Sequence, residues 1–291
     1  MVVLFVNGDF KKIIKSLKTN KNNLKEILKN QENDSTNYTK WKDNKLIVHA
    51  LGQFNNTIYT NSYEAMNHSY VVHKMKLMEA DFRLTIDKHI VVSHDFSYFH
   101  NRVPSFEEFK KAKLRGYLTP MSFKDLVKYM HKNKDLYIIT DTKYSHITRV
   151  EKEFNEMTKI LSRYKDVNKR FIIQIYNEKM YEFLKEKNYP FIHYIFTLYK
   201  RMRFPYNLRE MESIFQYCKK KGIDAIVMWD YWYNYSYKIA EFSQKYSIPV
   251  YVHTVNDPMK IVDFMKRGVK AVFTDNITYV ELEEYLNNLD C

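Results

Sequence analysis

The chain is short of the residues that build stapled or loosely linked proteins. Its 2 cysteines, Cys218 and the final Cys291, exclude a disulfide framework and a zinc-type Cys/His cluster. With 5 Gly and 6 Pro in 291 residues there is little material for flexible linkers. The apolar opening MVVLFV is too short to cross a bilayer and ends at once in Asn7, Gly8 and Asp9. Neither a signal-peptide core nor a small-residue cleavage site follows it, and no residue follows Cys291 to make a prenylation box. These absences point to a soluble, unexported chain, with the cytoplasm as the expected compartment.

Acidic residues are outnumbered, 34 against 47 Lys and Arg, for a formal charge of +13. The excess favours anionic partners such as phosphorylated substrates or anionic lipid heads. The lysines are spread along the whole chain, as on solvated helix faces, and no nucleic-acid-binding motif accompanies them, so no nucleic-acid partner is expected. Apolar residues make up 45%, enough for a substantial core, and the length suits one large domain.

From Leu46 onward, apolar runs at 46–50, 76–82, 136–140, 170–175, 191–197, 224–229, 249–253 and 270–274 read as strands, with a shorter run at 89–93. Segments of helical period alternate with them near 61–74, 122–132, 147–163, 178–187, 208–220, 235–246, 257–267 and 278–288. Gly222 and Gly268 stand where left-handed helix C-caps belong. Eight strand–helix pairs predict a parallel α/β fold, a TIM-type (β/α)8 barrel over 45–291. No G-x-G-x-x-G follows the first strand, against a dinucleotide-binding sheet. Residues 1–44 are predicted to be a helical N-terminal extension, with apolar positions Ile13, Ile14, Leu17, Leu24, Ile27 and Leu28 and a polar joint at 31–37. Residues 95–120 break the alternation and read as an insertion on the active-site side.

In such a barrel, chemistry comes from the C-terminal strand ends. Here those ends offer His49, Glu79 and Asp81, His94, Asp141-Thr142-Lys143, Gln174, Trp229, His253 and Asp275. Glu79 and Asp81, two apart on a strand, project side by side. Adjacent carboxylates repel unless they share a proton or a cation, and oxygen-only ligation suits Mg²⁺ or Ca²⁺. Two histidines nearby suit a general acid and a general base. His68, His73, His89, His100, His131 and His146 fall on helix faces or loops and read as structural. The aromatic run WDYWYNYSY suits either strand–helix packing or a rim for a lipid or sugar, which would make peripheral membrane contact.

His49, the YTNSYEAM segment, Glu79-x-Asp81, the T-x-D turn at 85–87, His94-Asp95 and the closing block YVHTVNDPMKIVDFMKRGVKAVFTD together resemble the glycerophosphodiester phosphodiesterases. The resemblance covers about 46–288 and implies an eight-stranded α/β barrel that cleaves a glycerophosphodiester to glycerol 3-phosphate and an alcohol. It implies His49 and His94 as the acid/base pair and Glu79, Asp81 and Asp141 as ligands of a divalent cation. It further implies Lys143 as a phosphate contact and Asn61 as the asparagine of the helix-opening motif. The strand-end residues Gln174, Trp229 and His253 are expected to complete the substrate-binding set for a small-molecule or lipid-headgroup phosphodiester. The family usually has arginine after its first histidine, where this chain has Ala50, and glutamate where it has Asp141. A bacterial branch with His-Ala-Leu-Gly and Asp-Thr-Lys is the nearer match. An aspartate third ligand is also found in the sphingomyelinase D group on the same barrel. A lyase stopping at a cyclic phosphate and a catalytically weakened binding module are the competing readings.

Overall fold

In the computed structural model, residues 40–143, 146–187, 191–194, 208–235 and 237–288 are described. Eight strands run parallel: β1 (Leu46–Val48), β2 (Leu77–Leu84), β5 (Tyr137–Asp141), β6 (Phe171–Ile175), β7 (Phe191–Tyr194), β8 (Ala225–Trp229), β9 (Val250–His253) and β10 (Ala271–Thr274). Each pairs with the next in chain order, and β10 returns to pair with β1. The β1–β2 link is one registered pair, Val48 opposite Met78. This is the expected TIM-type arrangement, and β1, β5, β6 and β10 are almost wholly buried, as parallel strands covered by helices must be.

Helices cover the strands because their apolar residues recur on one face. Between β5 and β6, α4 (Ile147–Leu161) buries Val150, Phe154, Met157 and Leu161 at helical spacing. Local chemistry sets the ends. Ahead of β5, α3 (Phe123–Lys132) opens on a capping box in which Ser122 Oγ accepts from the Asp125 N–H and Asp125 accepts from the Ser122 N–H. Between β9 and β10, α10 (Pro258–Lys266) is capped by Asp257 with Pro258 in its first turn. Gly222 (φ +68°) and Gly268 (φ +97°) are left-handed; just beyond them Ile223 N–H reaches Cys218 O at 2.9 Å and Val269 N–H reaches Phe264 O at 3.0 Å.

The structure departs from the sequence expectations at four places. The first strand stops at Val48, and His49–Leu51 form a 3-10 turn. The helix expected over 61–74 is α1 (Tyr63–Asn67), followed by a π turn at His68–Val72. The run at 89–93 contains β3 (Ile90–Val92), antiparallel to the end of β2 with Phe82 opposite Val92, and β4 (Met121–Ser122) adds to it. The helix near 235–246 begins early as α8 (Asp230–Tyr235), then α9 (Lys238–Tyr246). Between β3 and β4 the insertion carries α2 (Phe106–Lys111), and its Phe96 and Phe109 form a small cluster with Val91.

The helices expected in 10–32 lie outside the described residues. Residues 40–44 pack directly on the barrel: Trp41 joins the main core and Lys42 pairs with Asp224.

Candidate active site

The register of the sheet assembles the acidic cluster. Asp81 on β2 stands opposite Asp141 on β5, and Glu79 lies one side-chain repeat back on the same face. Ligand oxygens of Glu79, Asp81 and Asp141 all fall within 4.8 Å of one another. Glu79 and Asp81 are buried. Burial, then the charges of Asp81 and Asp141, push Glu79 up to about 8 against the pull of His49 and Lys143.

Lys143 supplies the counter-charge. Its Nζ lies 2.5 Å from Asp81 Oδ1 and 2.5 Å from Asp141 Oδ2. Burial opposes the ammonium, but Asp141, Asp81 and Glu79 outweigh it and raise Lys143 well above the lysine range. Asp81 runs the other way: burial favours its neutral form, yet Lys143, His94 and the Asn61 amide hold it below its ordinary value. Its Oδ1, fully buried, faces the lysine out of line for a hydrogen bond. Three converging carboxylates, one misaligned buried oxygen and an all-oxygen donor set fit a hard divalent cation.

His49 belongs to a second linked group. Val48 pairs with Thr274, so the residues that follow β1 and β10 meet, and His49 Nδ1 is 2.8 Å from Asp275 Oδ1. Asp275 is fixed in turn by Asn256, whose Nδ2 donates to Oδ2 at 2.7 Å and whose Oδ1 accepts from the Asp275 N–H at 2.8 Å. Burial disfavours a charged ring here, but Asp275, Glu79 and Asp81 outweigh it and raise His49 to about 8. Its Nε2 lies 4.0 Å from Glu79 Oε2. The turn after His49 also serves Glu79, which accepts the Ala50 N–H at 2.7 Å. Ala50 is buried at φ +47°, so this position contributes its backbone to the cluster.

His94 arrives by the β2–β3 hairpin rather than from a parallel strand. The Ser93 N–H donates to Asp81 O at 2.9 Å, which returns the chain to the cluster. His94 Nδ1 lies 3.0 Å from Asp95 Oδ2, and Arg83 Nε donates to the His94 carbonyl at 3.1 Å.

Among the other sequence-predicted residues, Asn61 has its amide committed to Asp81, donating to Oδ2 at 2.7 Å and accepting the Asp81 N–H at 3.1 Å. Gln174 is buried near the end of β6. Trp229, 40% exposed, ends β8 with its ring 6.3 Å from that of His253 at the end of β9. Burial, with the positive charge of His49 and Lys143, keeps the His253 ring neutral, down to about 3. His68 and His73, expected to be structural, meet edge to face and help line a cavity of about 300 Å³ that also touches Asp275.

Three contributors carry no assigned role in the sequence reading. Asp275 was visible as a polar strand end, and Asn256 as the asparagine of the Thr-Val-Asn strand end. Tyr59, whose ring lies against both histidines, opens the YTNSYEAM segment, but nothing in that segment marks its ring as a contact of His49 and His94.

Solved structures share this architecture. A glycerophosphodiester phosphodiesterase from Parabacteroides distasonis is 17% identical, with a TM-score of 0.66 over 85% of this chain and 98% of that one. An Oleispira antarctica phosphodiesterase, solved with the product sn-glycerol-3-phosphate, is 14% identical, with a TM-score of 0.62 over 85% and 97%. The Thermotoga maritima glycerophosphodiester phosphodiesterase is 17% identical, with a TM-score of 0.59 over 84% and 97%. No curated protein matches the chain. At these identities the structures speak to the fold, while the sequence itself matches one family across residues 49–279, a span that holds both histidines, all three carboxylates and the Asn256–Asp275 support. The chain belongs to the glycerophosphoryl diester phosphodiesterase family.

Proposed function

We propose that the chain hydrolyses a glycerophosphodiester to glycerol 3-phosphate and an alcohol by acid/base chemistry between His49 and His94. The observation that carries this reading is the meeting, at the strand ends, of two carboxylate-supported histidines with the Glu79–Asp81–Asp141 cluster. A divalent cation, Mg²⁺ or Ca²⁺, would be held by those three carboxylates and supply positive charge to the phosphate's non-bridging oxygens. The remaining tasks fall to the chain's own groups. His49, with Nδ1 on Asp275 and its charged form favoured, donates a proton to the departing alcohol oxygen. His94, with Nδ1 turned to Asp95, offers Nε2 to accept a proton from the attacking oxygen. Lys143 gives the phosphate a cationic partner where Ala50 offers none. Gln174, Trp229 and His253 border the space for the substrate.

The test is product identification by phosphorus NMR with glycerophosphocholine, glycerophosphoethanolamine and glycerophosphoinositol, each with Mg²⁺, with Ca²⁺ and with chelator. Glycerol 3-phosphate formed only with cation supports the reading. A cyclic phosphate as the end product would instead make the chain a lyase, and no turnover of any of the three would remove the simple diesterase.

A further inference from the structure

The segment leading into α1 is bent in an unusual way. Asn55, Asn56, Tyr59 and Asn61 all have positive φ, between +46° and +57° for the asparagines and +61° for the tyrosine. Asparagine tolerates this region because its short side chain bonds locally, whereas a bulky aromatic residue there is strained. Such strain persists only where the surroundings over-determine it. Two residues on, Asn61 supplies that constraint through its paired hydrogen bonds to Asp81. The loop is thus tied to the carboxylate cluster, and what it presents is the Tyr59 ring.

That ring stands between the two histidines. Its centroid is 4.9 Å from His49 at an interplanar angle of 88°, and 5.5 Å from His94 at 73°. Both are edge-to-face contacts, the arrangement an aromatic quadrupole prefers. His49 is anchored from behind by Asp275 just after β10 and His94 by Asp95 beyond β3, two unconnected supports. Tyr59 touches both rings at once and is itself 40% exposed, as a wall of the reaction space would be.

We infer that Tyr59 is a positioning residue that fixes the separation and tilt of the His49 and His94 rings relative to each other. The inference rests on the acid/base reading given above. It requires the aromatic face and not the hydroxyl, so Tyr59→Phe retains function while Tyr59→Leu and Tyr59→Gly do not. Glycine is comfortable at φ +61°, which makes Tyr59→Gly the variant that keeps the loop's backbone while removing the ring.

The experiment compares kcat, KM and Tm of the three variants and adds Tyr59→Leu to His94→Ala. Tyr59→Phe should stay within about twofold of the parent in kcat, and Tyr59→Leu and Tyr59→Gly should lose on the order of tenfold to a hundredfold with KM little changed. In His94→Ala the further loss from Tyr59→Leu should shrink, since one of the two rings it aligns is gone. Full kcat in Tyr59→Gly, equal loss in Tyr59→Phe and Tyr59→Leu, or an undiminished loss in His94→Ala would each overturn the inference. Imidazole proton shifts give a readout independent of turnover. The His49 and His94 signals should both move in Tyr59→Gly and hold in Tyr59→Phe as the ring current is lost or kept; no movement in Tyr59→Gly would also overturn it. Failure of the parent to cleave any diester would strike the proposed activity, and the shifts would still report on the ring contacts.

Discussion

Glu79 has its carboxyl pushed from 4.5 to about 8, chiefly by burial and then by Asp81 and Asp141. Between those values the folded chain keeps a proton that the unfolded chain has lost, so folding stability falls as pH rises through the window. His49, raised from 6.5 to about 8, acts in the same direction: its contribution is complete below pH 6.5 and is lost as pH rises through about 8. A cation held by the carboxylates removes the Glu79 component by stabilising the ionised form. Below pH 6.5 the neutral ring of His253, held down to about 3, offsets Glu79, because the unfolded chain protonates that ring and the folded chain does not. In chelator, Tm should therefore decline from about pH 6.5 to pH 8, where Glu79 and His49 act together, and Mg²⁺ or Ca²⁺ should make that decline shallower; calorimetry across the range checks it. Asp275 is the other residue whose role is separable. Asp275→Asn keeps the shape but removes the charge that favours protonated His49, and kcat should fall by about 10- to 100-fold with little change in fold, read by steady-state kinetics and circular dichroism. The carboxylates and His49 are legible in the sequence because short spacing alone places them at strand ends. The His49–Asp275 contact is not, since it joins residues 226 apart through the β1–β10 register. Tyr59 stands in the quoted YTNSYEAM segment, but its placement is hidden for a different reason: no composition rule announces an aromatic residue at positive φ.

The turn after β1 shows how one short element serves two parts of the site. Ala50 and Leu51 both have positive φ, and Gly52 follows at φ +95°, ψ −166°, a region open essentially to glycine alone. A Cβ at Gly52 would lie 2.3 Å from Ser69 Oγ and 2.8 Å from Val48 Cγ1. Gly52→Ala should therefore cost about 1–3 kcal/mol from the backbone alone and displace the Ala50 N–H from Glu79, lowering both the denaturation midpoint and kcat. The element pattern was largely readable because strand and helix periods differ and the caps carry their own chemistry, as at Ser122, Asp257, Gly222 and Gly268. The β2–β3 hairpin was less so. Its strands are three to eight residues long and a local apolar run cannot say whether it pairs parallel or antiparallel, yet this hairpin is what returns His94 to Asp81. The π turn at His68–Val72 ends α1 earlier than its periodicity suggests, and no proline or glycine marks the place.

At the scale of the whole molecule, eight strands converge so that residues from β1, β2, β5 and β10 share one end of the barrel with the β2–β3 hairpin. Among the described residues no helix is long and apolar enough to cross a membrane. The formal charge of +13 gives the molecule a net field that attracts anions. For an anionic diester, kcat/KM should fall as ionic strength rises from about 0.01 to 0.15 M while kcat stays nearly level, because screening weakens encounter and leaves bound chemistry alone. Parallel profiles for kcat and kcat/KM would remove the steering field from the account. The claim on which the rest depends is that His49 and a cation-bearing carboxylate cluster act on one phosphodiester. Its most direct test is kcat/KM for the best-turned-over glycerophosphodiester, measured for the parent chain and for His49→Ala, each with cation and with chelator. The account predicts turnover that needs cation and drops by about 10²–10⁴-fold in His49→Ala. Turnover that survives chelator, or that His49→Ala leaves intact, would contradict it.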